Sequence, residues 1–525
     1  MIRKIIANIT CIAMCCLYGS SLQAQVDSKT IKIAVSQNLY SSVFDLKLWK
    51  LIQSFYAANN YNAAWLNPEN NKNKDYLIKQ LSLCKEKGLI EKDYQYPSIE
   101  QLKNGNTKPA TREDSLKLEI QLTAAALQYY SDIAFGNTTP DITYKGAIEM
   151  PLCQDIPTVL AQYLTNKNIA SLSNYLTPTL SEIPLLENKI KWFVKLLADK
   201  SFKEVAILSN QPLSTNKPLI IKLYQLGFIT DTAKILPDSV IRRNIKEAQL
   251  QLGLIEDGKL GIGTLNQLNI SLLKRLAALN LSINYYRWLS CFSQNRSVIV
   301  VNIPAAYLKV YEQQKIRLQM KVIVGKKSTP TPTLLSTVNQ VVLYPYWHVP
   351  YSIATKELLP KLKKSAALID AGNYQVLNSA GKIINPYSVN WRALSRSYFP
   401  YTIRQSTGCD NALGLLKLNF NSPGGVYLHD TPNKEFFKLN KRFLSHGCIR
   451  MENPTDLGHL VLKNNSIAID TLTQKGCLLN QSPVFVNATD AMPVLVWYNP
   501  IGIDAKGNVL FFEDVYGKFN WNKKD

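Results

Sequence analysis

"VYLHDTPNKEFFKLNKRFLSHGCIRMENP", residues 426–454, holds two of the chain's four histidines and one isolated cysteine. A thiol attacks as its thiolate, so a nucleophilic Cys448 needs a base or a positive field close by. His446 lies two residues away, which on an extended chain puts both side chains on one face about 7 Å apart. His429 ends the apolar run "GVYL", where a neighbouring strand can present it across a site. Position alone does not separate the two. Gly447, with no Cβ, permits a tight turn that aims the N–H groups of Gly447 and Cys448 at a substrate carbonyl, as an oxyanion hole requires. The bland alternative, Cys448 as a small buried hydrophobe, leaves unexplained why two of four histidines cluster around Ser-His-Gly-Cys.

Upstream of this stretch the apolar period is that of strands. "SVIVVNIPAAYLKVYEQQKIRLQMKVIVGK" contains β-rich runs at 297–303, 307–311 and 316–324, with the turn-forming "EQQK" between the last two. A further apolar run, "QVVLYPYWHVP", covers 340–350, and strand character returns at 413–429. Between about 355 and 402 the pattern breaks into a short helix and an aromatic-rich segment, the kind of insertion that forms a lid over a site. The terminal "VFVNATDAMPVLVWYNPIGIDAKGNVLFFEDVYG" predicts another hairpin.

From residue 41 to about 235 the spacing is helical instead. "TREDSLKLEIQLTAAALQYYSDIAFGN" opens with Thr111 and Asp114 as a capping box, sets Leu116, Ile120, Ala124, Leu127 and Tyr130 on one face, and stops at Gly136. No catalytic cluster occurs there, so this region reads as a scaffold. Residues 241–288 form a small helical module with a Gly-rich turn, "EDGKLGIGT", in which Thr264 can cap a second helix.

The ends and the composition bound the setting. "MIRKIIANITCIAMCCLYGSSLQAQ" has basic residues, an apolar run and small residues before Ala24, and predicts an export signal cleaved near Ala24–Gln25. No later segment offers about 18 uninterrupted apolar residues, so a soluble protein outside the cytoplasm is expected. A formal charge of +22 raises nucleic acid as a partner, but export argues against it. The 60 Lys and Arg residues are scattered, which fits loose attraction to an anionic envelope. Beyond the signal, Cys84, Cys153, Cys291, Cys409, Cys448 and Cys477 form no CxxC pair, so no zinc site is expected and no disulfide framework can be read from the spacing.

His429, fifteen intervening residues, then Ser445, His446, Gly447, Cys448 and Arg450 resemble the signature of the L,D-transpeptidases with a YkuD-type catalytic domain. "VIVVNIPAAYLKVY", "MKVIVGK", "TPTLLSTVNQVVLYPYWHVPYSIA" and "NALGLLKLNF" extend the resemblance upstream. The pattern of Gln249, Leu252, Gly253, Leu254, Asp257, Gly258, Gly261 and Thr264 is similar to the peptidoglycan-binding domain of wall enzymes. The resemblance implies a multi-domain α+β chain: signal peptide 1–24, helical scaffold 25–240, peptidoglycan-binding-like module 241–288, a mainly β catalytic domain 296–475 with its lid, and a C-terminal β extension 476–525 packed on that domain.

It further implies Cys448 as nucleophile and His429 as base, the ring oriented by a backbone carbonyl near Asp430, which breaks the tie. His446, Ser445 and Gly447 then shape the oxyanion loop, while Ser445, Arg450 and Tyr427 face substrate. The implied partners are peptidoglycan stem peptides as donor and acceptor, with carbapenem β-lactams as covalent inhibitors, in a periplasmic location with peripheral envelope association. Two-step acyl transfer of this kind needs no metal or organic cofactor. "RQSTGCDNALG" departs from relatives at Thr407 and Cys409, and Cys409 stands as the alternative nucleophile. Trp347 and Trp391 could stack on a glycan or serve as core; His348 and His459 lack a catalytic context.

Overall fold

The computed structural model describes residues 26–94, 101, 109, 111–151, 153–207, 212–232 and 236–519. The predicted export signal lies outside the described residues. No helix among them is long and apolar enough to cross a membrane.

Helix α1 (Arg112–Phe135) starts at the expected capping box: the Thr111 hydroxyl accepts from the Asp114 N–H, and the Asp114 carboxylate accepts from the Thr111 N–H. Gly136, at φ +77°, ends it. Residues buried all around α1, including Leu116, Ile120, Ala124, Leu127 and Tyr130, centre a first helical core that runs from Val26 to Leu176. A second core begins at Leu180 and takes in α2 (Glu182–Ala198), α3 (Asp238–Gln251), α4 (Ile262–Leu268) and α5 (Leu272–Phe292).

The module pattern has a physical basis in this second core. Gln249, 1% exposed, donates to Asp257 Oδ1 (2.8 Å), the Lys259 carbonyl (3.0 Å) and Thr264 Oγ1 (3.1 Å), and accepts from the Gly258 N–H (2.8 Å). One buried amide thus ties the end of α3 to the turn and to α4. The helices share their core with the outer face of the β domain, through Val300, Tyr311, Leu335, Leu495 and Trp497.

After a two-residue strand β1 (Tyr144–Lys145), strands β2 (Val298–Asn302), β3 (Tyr307–Glu312) and β4 (Lys315–Gly325) form a meander. The "EQQK" turn places Gln313 and Gln314 at positive φ, the twist that suits a tight hairpin. β5 (Leu334–Leu343), β10 (Leu416–Phe420), β11 (Leu428–His429), β13 (Ile449–Met451) and β14 (Val484–Trp497) complete a closed circuit, β14-β2-β3-β4-β13-β11-β10-β5 and back to β14. β12 (Phe443–Ser445) pairs β4 outside this path. An eight-stranded barrel fills its interior with side chains, here Ile299, Leu308, Val322, Val341, Leu418, Leu428, Ile449 and Val494 among others.

The C-terminal segment is therefore not an extension packed on a finished domain. β14 pairs with β2 in parallel and with β5 antiparallel, filling the gap that would otherwise leave two open sheet edges. The hairpin β15 (Ile501–Ile503)/β16 (Val509–Phe511) that follows lies outside the barrel.

Between β5 and β10 an inserted subdomain carries its own four-stranded sheet, β6 (Trp347–His348), β9 (Thr402–Gln405), β7 (Tyr374–Leu377) and β8 (Ile383–Ile384), in that spatial order. Its small core includes Val349, Leu358, Leu362, Ile369, Val376, Trp391 and Phe399. Because its edge strand β6 precedes the helices, the insert begins earlier than the lid read from sequence. Among the described residues two disulfides, Cys153–Cys291 and Cys409–Cys477, join segments too distant for spacing to reveal. Overall, an N-terminal helical region precedes a mainly β C-terminal domain.

Candidate active site

Alternation along the barrel strands sends Leu418, Leu428, Ile449 and Met451 inward, so their neighbours point out. Lys417 of β10 stands opposite His429 of β11, and His429 stands opposite Arg450 of β13. Three adjacent strands thus present a row, Lys417–His429–Arg450, on the outer face. Two residues earlier on the last two strands lie Tyr427 and Cys448, on the same face; the Ile449 N–H bonds the Tyr427 carbonyl.

His429 is 4% exposed, and its Nδ1 lies 2.5 Å from the Asp430 carbonyl. A carbonyl only accepts, so Nδ1 carries the hydrogen and Nε2 is left with the lone pair. Burial, then Arg450, lowers the His429 pKa to about 3, with the Asp430 bond opposing and Lys417 adding to the fall. The ring is therefore neutral at any physiological pH. Asp430 is itself fixed, accepting from the Leu415 N–H (2.9 Å) and pairing with Lys434 (2.7 Å).

Cys448 is half-buried and free. Burial pushes its thiol up. Tyr427, through its N–H and hydroxyl, and the charges of Lys417 and Arg450 pull it down, but burial outweighs them and the thiol stays above its ordinary value. The Tyr427 hydroxyl also meets the Trp347 indole N–H, and its ring stands edge-on to His429 at 5.6 Å. Tyr427 thus addresses the nucleophile, not only the substrate side to which the resemblance assigned it.

The Ser-His-Gly-Cys loop is held from within. Ser445, 2% exposed, donates to the Cys448 carbonyl (2.5 Å) and accepts from the Gly447 N–H (3.1 Å). Two expectations change accordingly. Ser445 is turned inward instead of facing substrate, and the Gly447 N–H is engaged in the loop, leaving Cys448 N–H as the oxyanion donor to consider. Gly447 sits at φ +118°, a conformation other residues rarely adopt, and a Cβ there would touch the Pro330 carbonyl at 3.7 Å. Thr331 and Thr329 bond the Gly447 and Ser445 carbonyls.

His446 points away from Cys448, its Nε2 2.8 Å from Glu357 of the inserted subdomain. Arg450 is half-buried and leaves its Nε without a partner. Cys409 is disulfide-bonded, which removes it as an alternative nucleophile, and Thr407 bonds the Gln481 carbonyl, so the departing loop is tied to the approach to β14. Trp391 is core of the insert. His348 is exposed at the edge of the insert's sheet, and His459 meets Asp470 at 3.5 Å on the surface. Among the described residues no group of three or more His, Cys, Asp or Glu is placed to hold a metal ion.

Lys417 and Glu357 were not legible as site residues, and Trp347 was legible only as a glycan platform or core, not as a partner of Tyr427. The alternation in "LKLNF" marks Lys417 as outward, but only the strand register brings it beside His429.

Residues 296–469 match the family model of the YkuD L,D-transpeptidase catalytic domain. This segment is therefore similar to L,D-transpeptidase catalytic domains. Residues 50–184 match a second model, the Scaffold domain. A Haemophilus influenzae protein named "Putative L,D-transpeptidase" is 36% identical over 220 residues, covering 42% of this chain and 44% of that relative. The chain thus aligns with under half the length of the curated relative it matches. Among solved structures, an L,D-transpeptidase from Mycobacterium smegmatis has 16% identity and a TM-score of 0.17, and LdtMt1 in complex with imipenem has 16% and 0.16. Each covers 38% of this chain, which spans 58% of each of theirs. Both likenesses are too slight to bear on the site.

Proposed function

We propose that this L,D-transpeptidase-like domain cross-links peptidoglycan through a Cys448 thioester. The observation that carries the reading is the free, half-buried Cys448 beside a neutral His429 whose Nδ1–H is committed to the Asp430 carbonyl. In the first step the Cys448 sulfur attacks the carbonyl at the L-centre of meso-diaminopimelate in a donor tetrapeptide stem. His429 Nε2 takes the thiol proton and returns it to the leaving amine as the C–N bond breaks, so D-alanine departs neutral in overall balance. The Cys448 N–H faces the oxygen that becomes negative.

In the second step the side-chain amine of another stem attacks the thioester, loses a proton to His429, and releases the thiol, forming a 3→3 cross-link. Every bond change is an acyl transfer, so no cofactor enters the scheme. Arg450, on the same face as His429 and Cys448, would meet a stem carboxylate in this scheme. The reaction belongs outside the cytoplasm, in the periplasm, where the export signal and positive charge would bring the chain to the wall.

Purified protein incubated with tetrapeptide-rich sacculi, followed by muropeptide digestion and mass spectrometry, tests the reading. New 3→3 dimers with released D-alanine are expected. Tripeptides without dimers would identify water as acceptor, an L,D-carboxypeptidase; a linked protein would identify an attaching enzyme. Unchanged muropeptides would overturn the proposal in favour of a wall-binding role.

A further inference from the structure

Two cations, Lys417 and Arg450, flank the Cys448–His429 pair, and among the described residues no carboxylate forms an ion pair with either. This is unusual for half-buried cations, which normally find an anion. The Lys417 ammonium sits 3.9 Å from the centroid of the Tyr427 ring, the ring whose hydroxyl donates to the Cys448 sulfur. A cation over an aromatic face is attracted by the ring quadrupole. Here that attraction holds the ammonium on the Tyr427 ring, near enough to Cys448 for the two charges to interact.

We propose that Lys417 is the positioned counter-charge of the Cys448 thiolate, the anion that completes its otherwise unpaired site. The inference rests on Cys448 being the nucleophile. When the thiol loses its proton, to His429 or to water, the new negative charge meets a cation already in place, so little reorganisation accompanies ionisation. The same cation disfavours a charged His429, which keeps the base unprotonated and ready.

The groups facing Cys448 are few. β10 contributes Lys417, β11 and the residue before it His429 and Tyr427, and β13 Arg450. From the inserted subdomain His348 lies close enough for Lys417 to lower its pKa. Glu357 engages His446 at the rim. Arg450 shares the electrostatic task, but its stem leaves from the same strand as Cys448, whereas Lys417 approaches from two strands away across the Tyr427 ring.

The test is the pH dependence of Cys448 alkylation by iodoacetamide in the full chain, located by peptide mapping, with intactness checked by circular dichroism. For Lys417→Met the alkylation midpoint is expected to move alkaline by about one pH unit, the size of losing one nearby opposite charge. Lys417→Arg should stay near the parent. Lys417→Gln serves as a second neutral variant. An unchanged midpoint in a folded neutral variant overturns the proposal.

Because coupling is reciprocal, Cys448→Ser in the otherwise native chain should lower the Lys417 ammonium pKa by a similar amount, read by competitive amine labelling. This readout requires no change at Lys417, and an unmoved Lys417 pKa also overturns the proposal. Persistence of an acyl adduct in Cys448→Ala would instead remove the nucleophile reading itself, so the two failures are distinguishable.

Discussion

Tyr427→Phe isolates one hydrogen bond at the nucleophile. Phe keeps the ring under Lys417, 3.9 Å from its Nζ, and edge-on to His429, so packing and cation–π contact survive while the O–H donor to Cys448 is lost. A hydrogen bond to a charged group contributes about 1.5–3 kcal/mol, which at 1.36 kcal/mol per pH unit raises the thiol pKa by about 1–2 units. At pH 7 the thiolate fraction then falls about 10–100-fold. A more basic thiolate is also a better nucleophile, with a Brønsted slope of about 0.4–0.5, which returns roughly 3–8-fold. The net expectation is a drop of roughly 3–15-fold in the rate of acylation by a carbapenem at pH 7, closing as the pH is raised. Stopped-flow β-lactam absorbance from pH 6 to 10 measures it. An unchanged rate at pH 7, or a deficit constant across pH, would refute the hydroxyl's role in stabilising the thiolate.

His429→Ala should slow acylation by about 10²–10⁴-fold, as loss of a general base does, with partial relief in alkali; His446→Ala, whose ring is held by Glu357 away from the thiol, should lower the rate less, and equally at every pH. His429 also links stability to pH. Its folded pKa of about 3 lies below the ordinary 6.5, so the unfolded chain binds the extra proton, and this contribution is complete above about pH 6.5 and lost as pH falls toward 3. Between pH 7 and pH 4 it amounts to about 3 kcal/mol, and urea unfolding should show a correspondingly shallower loss for His429→Gln. Gly414→Ala should destabilise by at least about 1–2 kcal/mol, because φ there is +60° and the new Cβ would lie 2.3 Å from Asp430 Oδ2; acylation should fall with it, since Asp430 carries the carbonyl that orients His429. Cys477→Ser opens a 68-residue loop and should cost about 4 kcal/mol in the chain-entropy account, read as a lowered melting temperature.

Local features were legible because their determinants are local. Thr111 and Asp114 are three residues apart and cap α1 as expected, and the "EQQK" turn joins β3 to β4 within four residues. The Asp430 carbonyl orients His429 as the resemblance implied, since it belongs to the very next residue. What stayed hidden depends on partners far along the chain. Cys409 and Cys477 are 68 residues apart, and β14 reaches the barrel only because β2 and β5, almost 150 residues or more upstream, leave matching edges. Lys417 becomes a site residue through strand register, and Glu357 reaches His446 across 89 residues. Ser445 looked like a substrate-facing hydroxyl until the loop's own N–H and C=O groups were seen to use both of its capacities.

The central claim, that Cys448 accepts the acyl group of a tetrapeptide stem, is tested most directly by intact-protein mass spectrometry after incubation with a disaccharide-tetrapeptide in the absence of acceptor. The account predicts a mass increase equal to the donor minus D-alanine, a peptide map placing it on Cys448, loss of the adduct in hydroxylamine, and none in Cys448→Ala. A donor adduct that persists in Cys448→Ala, or D-alanine release without any covalent intermediate on Cys448, would contradict it.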